Sequence, residues 1–149
     1  MEQEIDYGAL ADFRYEIRRF LNFSERAARA AGVEPQQHQA LLAIKGLGHE
    51  SRATVGWLAG RLEIRHHSAV ELSDRLEARG FVRRSRGEAD RREVVLQLTR
   101  AGERFLRELS VTHGRELRTA GPRLVKALRA AIIHASRTAH GTRRRRGDK

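Results

Sequence analysis

One change of periodicity constrains this chain more than any other feature. From Leu10 to Leu76, apolar residues recur at spacings of three and four, the mark of amphipathic helices. Gly80 interrupts, and residues 81–98 follow another pattern. Phe81-Val82-Arg83-Arg84-Ser85-Arg86 is a short run that ends at Gly87. Glu93-Val94-Val95-Leu96-Gln97-Leu98 alternates in part, with Val94, Leu96 and Leu98 on one face. Two β runs joined through Gly87-Glu88-Ala89-Asp90-Arg91 predict a hairpin with a charged tip. Helical spacing returns after Thr99. A lone hairpin set among helices leaves few architectures open.

The helix boundaries are written in capping residues. The spacing predicts a first helix over 9–31 (Leu10, Phe13, Ile17, Phe20, Leu21), stopped by Gly32. Pro35 suits the first position of a second helix carrying Leu41, Leu42, Ile44 and Leu47, and Gly46 and Gly48 close it. Thr54 is an N-cap for a third, with Val55, Leu58, Ala59 and Leu62 on one side. A short connection, Glu63-Ile64-Arg65, leads to a fourth helix from about His66 to Arg79, with Ala69, Leu72 and Leu76 inward. Thr99 caps a fifth helix, Gly121-Pro122 is expected to break it, and a sixth carries Leu124, Val125, Leu128, Ala131, Ile132 and Ala135. Two short helices with a tight connection and then a hairpin describe a winged helix-turn-helix. The fold class is mainly α with a small β-hairpin wing (α+β). The chain is expected to be a single domain over 1–149, with the winged helix-turn-helix in 35–99.

Charge adds a partner class. The net charge is +11, which favours a polyanion, nucleic acid or an anionic membrane surface. Its distribution is uneven: residues 50–99 hold ten basic and eight acidic groups, residues 100–149 hold 14 and four. Part of the second excess is the run Arg143-Arg144-Arg145-Arg146, and residues 140–149 are expected to be a disordered basic tail. The absence of cysteine removes disulfides, thiol redox sensing, Cys nucleophiles and Cys-ligated zinc. No stretch approaches the ~20 apolar residues of a membrane span, and Glu2, Glu4 and Asp6 do not suit a signal peptide. A cytoplasmic protein is the expectation. No nucleophile elbow, phosphate loop or HExxH motif points to an enzyme.

The fourth helix presents His66, His67, Ser68, Glu71 and Arg75 outward, and its N-terminus offers backbone N–H groups to a phosphate. Arg65 stands just before it. The hairpin gathers Arg83, Arg84, Arg86, Arg91 and Arg92 against Glu88 and Asp90. The stretch Asp90-Arg91-Arg92-Glu93-Val94-Val95-Leu96-Gln97-Leu98-Thr99, followed by Ala101-Gly102, resembles the wing signature of MarR-type transcriptional regulators: Asp-x-Arg, then a strand ending Leu-Thr. Asp74-Arg75-Leu76-Glu77 with Gly80-Phe81-Val82 is similar to the end of that family's recognition helix, and Thr54 to Ala59 to its third helix. The resemblance spans roughly residues 10–138. It implies a homodimer built on helices in 9–31 and 100–139, and a double-stranded DNA partner with a pseudo-palindromic operator. It implies a minor-groove role for Arg92, with Asp90 orienting it, and major-groove contacts early in the fourth helix. At Val70 and Glu71 the family often has polar or basic groups; Glu71 can accept from cytosine N4 but repels phosphate.

Other residues carry open alternatives. His67 and Glu71 stand at i and i+4, a metal-ligand spacing, but no second pair of ligands accompanies them, and no cofactor is expected. Trp57, the only tryptophan, is either a packing residue or a pocket wall, and Phe13, Tyr15 and His38 divide the same way. The resemblance implies a small, often aromatic and anionic effector in such a pocket. Arg14, Arg18 and Arg19 fit a solvated helix face or a site for that anion. The alternative function is a non-specific nucleoid-type or RNA-binding protein that uses the basic C-terminus. A peripheral membrane role would use the basic sixth helix, whose apolar stripe fits dimer packing better.

Overall fold

The computed structural model describes residues 5–48 and 51–143. Among the described residues, five helices and one hairpin follow in the order α1 (Tyr7–Ala30), α2 (Pro35–Gly46), α3 (Val55–Leu62), α4 (His66–Ala78), β1 (Val82–Arg86), β2 (Val94–Leu98) and α5 (Arg100–Arg143). The chain divides into two compact units. One comprises residues 25–112, and the other pairs residues 1–24 with 113–149. No helix among the described residues is long and apolar enough to cross a membrane.

In the 25–112 unit, α2, α3 and α4 close around Leu41, Leu58, Leu72 and Leu76. The hairpin adds Val82 and Leu96, and the start of α5 adds Leu106. Thr54 Oγ1 accepts from the Trp57 backbone N–H at 3.0 Å and starts α3, as its position predicts. At the entry to α2, the Gln37 side chain reaches back to the helix start: the Glu34 N–H donates to Gln37 Oε1 at 2.8 Å. At the end of α4, Gly80 adopts φ +72°, a left-handed turn open to glycine without penalty. Its N–H reaches the Glu77 carbonyl at 2.8 Å, and that of Phe81 reaches Leu76 at 3.0 Å. The chain is thereby turned from α4 straight into β1.

The strands pair antiparallel, with Val82 opposite Leu98 and Arg86 opposite Val94. The Leu96 N–H also donates to the Ala53 carbonyl at 2.8 Å, and Thr54 forms an isolated bridge to Val95. The hairpin is therefore anchored at the entrance of α3. A second cluster of Ala28, Val33 and Leu109 packs with Phe81 and Phe105, whose rings stack at 4.7 Å.

In the other unit, His113, Ala120 and Ala127 recur every seven residues along the buried side of α5. The His113 ring nitrogen meets Ser24 Oγ at 2.8 Å, and Phe23 stands edge-on to the imidazole. Glu16 and Arg123 form an ion pair at 3.6 Å. Leu10, Leu21, Leu117, Val125, Ile132 and Ile133 remain exposed.

One expected boundary is absent. α5 runs through Gly121-Pro122 without ending, so the fifth and sixth predicted helices are one helix of 44 residues. Proline forfeits a single backbone hydrogen bond and crowds the preceding turn. The same buried stripe continues on both sides, through Ala120, Ala127 and Ala131, and outweighs that local cost. α5 also takes in residues 140–143, assigned above to the tail; residues 144–149 lie outside the described ones.

Candidate nucleic-acid interface

The first part of the site is the start of α4. Arg65 is its N-cap in extended conformation, and no side chain caps the first turn. His66 and His67 are exposed and Ser68 is half-buried. Ala69, Leu72 and Leu76 hold the opposite side of α4 in the core. The uncapped N–H groups and these polar side chains thus share one end of a helix anchored from behind. Arg75, in the last turn of α4, is exposed and pairs with Glu71 at 3.8 Å. That pairing moderates the Glu71 charge. Among the described residues no group of three metal-ligating side chains occurs, at His67 and Glu71 or elsewhere.

The second part is the hairpin tip. The Gly87 N–H donates to the Glu93 carbonyl at 3.0 Å, and the Glu93 N–H to the Asp90 carbonyl at 3.1 Å. A Cβ on Gly87 would lie 2.6 Å from the Asp90 carbonyl oxygen, so this tip tolerates only glycine there. Asp90 Oδ1 accepts from the Arg92 backbone N–H at 2.9 Å and from Arg92 Nε at 3.3 Å. The Arg92 side chain is nevertheless 93% exposed. One carboxylate oxygen therefore aims a guanidinium outward from the turn that carries both residues. The Arg91 guanidinium has no partner among the described residues.

The other arginines of the predicted basic cluster are engaged. Arg83 donates to Gln97 Oε1 at 3.1 and 3.0 Å, across the ladder. Arg86 Nη1 donates to the Arg91 carbonyl at 3.2 Å. Arg84 turns back to α4, to Asp74 and Glu77. Asp74 and Glu77 stand three apart on one helix face, and that spacing was the available signal.

The four residues considered for a ligand pocket lie in different settings. Phe13 is half-buried and Tyr15 is exposed on α1, with the Arg19 guanidinium 5.7 Å from the Tyr15 ring centre. His38 is buried in α2. Trp57 is half-buried and lines a groove of about 570 Å³ with Gln39, Leu42, Leu47, Arg61 and Leu62.

A helix pair whose second member is anchored from behind, and a hairpin with an outward arginine tip, define a winged helix-turn-helix. Residues 31–93 are matched by the model of the MarR family. That segment is similar to the MarR family, and the chain has the fold of MarR-family transcriptional regulators. AbsC, a MarR family transcriptional regulator from Streptomyces coelicolor, superposes with a TM-score of 0.71 at 19% identity, over 95% of this chain and 99% of that one. Wild-type MarR from E. coli in its apo form gives 0.66 at 20% identity, over 78% and 82%. A mutant E. coli MarR complexed with operator DNA gives 0.61 at 20% identity, over 76% and 78%. No curated protein matches the sequence.

Proposed function

We propose that this chain is a sequence-specific DNA-binding transcriptional regulator that acts as a homodimeric, cytoplasmic repressor on a pseudo-palindromic operator. The observation that carries the proposal is the wing tip. Asp90 holds Arg92 through two hydrogen bonds and leaves its guanidinium exposed, in a turn already closed by Gly87. An arginine so presented suits the narrow minor groove. Arg65, His66, His67, Ser68 and Arg75 then face the adjacent major groove, with Arg91 on the phosphates. The relative with operator DNA in its crystal supports this use of the fold. The exposed apolar side chains of α1 and the C-terminal half of α5 supply a surface for the second copy. A small anionic aromatic effector relieves repression by binding two states of the dimer unequally. Trp57, which lines the groove within the 25–112 unit, is its proposed neighbour. Trp57 is the only tryptophan, so its fluorescence reports the titration directly.

Selection of bound genomic fragments supplies the operator. Arg92→Ala is then expected to weaken operator binding at least tenfold, about 1.4 kcal/mol, in a gel-shift titration at fixed salt. Unchanged affinity rejects the wing assignment. The charge excess after residue 99 favours a second reading, non-specific nucleic-acid binding. Competition with unrelated DNA separates the two, because only the regulator keeps a specificity ratio well above one.

A further inference from the structure

A two-stranded ribbon is marginal by itself, so the direction of a wing has to be set by what braces it. β2 is braced on the Ala53–Thr54 entrance to α3. β1 is braced by Arg84. Its Nη1 donates to Asp74 Oδ1 at 2.5 Å, and its Nε and Nη2 lie 3.3 and 3.2 Å from Glu77 Oε1. The Arg84 backbone N–H adds a bond to Glu77 Oε2 at 3.1 Å. The Arg84 side chain is 32% exposed, against 93% for Arg92. Three of its guanidinium nitrogens thus point at α4, and a planar fork of this kind fixes direction as well as distance.

We propose that Arg84, with Asp74 and Glu77, is a positioning group. It sets the angle between the reading helix and the wing, and so the offset at which one protomer meets the major groove and the neighbouring minor groove. The proposal rests on the DNA-binding reading above. Its contrast is a direct role, with Arg84 as one more cation beside the phosphates. The two roles give opposite signs when the carboxylates are removed. Neutralising Asp74 and Glu77 makes the face more positive and frees Arg84. If Arg84 were a phosphate contact, operator affinity would rise. If it is a positioning group, operator affinity falls although the charge is more favourable.

The experiment uses the full chain, the selected operator and an unrelated fragment of equal length. The double variant D74N/E77Q is expected to bind the operator at least fivefold more weakly and the unrelated fragment equally or more tightly. R84K, which keeps the charge but not the fork, is expected to lose operator affinity in the same direction. Hydroxyl-radical footprints should lose minor-groove protection at the wing and keep the major-groove contacts. Asp74 and Glu77 are exposed, so the double variant tests the idea even if R84K unfolds. Operator affinity that is unchanged or raised in D74N/E77Q overturns the positioning role. An equal loss on both fragments overturns it as well. If the unsubstituted protein does not distinguish operator from unrelated DNA, the regulator reading itself fails.

Discussion

At the scale of single residues, the same side-chain type does unlike work within one hairpin. Arg92 is presented, Arg83 is paired across strands, and Arg84 is turned inward to α4. Gly87 makes the first of these arrangements possible. Gly87→Ala would push a Cβ against backbone, which cannot swing away as a side chain can. It is expected to destabilise the fold by about 1–3 kcal/mol and to weaken operator binding, read by thermal melting and gel shift. A melting temperature equal to that of the parent protein would show that the tip relaxes without cost. The sequence makes Asp90 and Arg92 readable because they stand two apart in a turn, where local geometry decides contacts. It does not separate Arg84 from its neighbours, because that depends on how β1 leaves Gly80 and passes back along α4.

Elements were readable where a cap or a period marks them. Thr54, Pro35 and Gly80 each sit where the corresponding helix starts or ends. Thr54→Ala is expected to cost about 1 kcal/mol and Thr54→Ser much less, measured by denaturant unfolding. If the serine variant loses as much as the alanine variant, the threonine methyl group matters more than the cap. Pro122 misled for a physical reason. Local propensity disfavours it within a helix, but the buried stripe of α5 continues past it. Pro122→Ala is therefore expected to raise the melting temperature, because it restores a donor to a helix that is already continuous. A lower melting temperature would mean that the ring itself packs. The bridge from Thr54 to Val95 had no sequence signal, since a single pairing has no period to detect.

For the whole molecule, charge and recognition are distributed differently. The net charge is +11, yet residues 50–99 hold ten basic and eight acidic side chains. Removing residues 142–149 is expected to flatten the dependence of log affinity on log salt and to leave sequence preference unchanged. An unaltered slope would show that this basic stretch releases no counterions. The Asp90 contact to Arg92 has a consequence in time. Encounter rates follow the overall field of the molecule, whereas residence follows the fit of the bound groups. Asp90→Ala removes one negative charge from the chain while releasing the arginine from its aim. Rapid-mixing measurements at low salt should then show association as fast as before, or faster, with dissociation several-fold quicker. On the DNA-binding reading proposed above, the carboxylate at the tip would work against capture and in favour of retention, so that the wing would be tuned for how long it stays on its site and not for how soon it arrives.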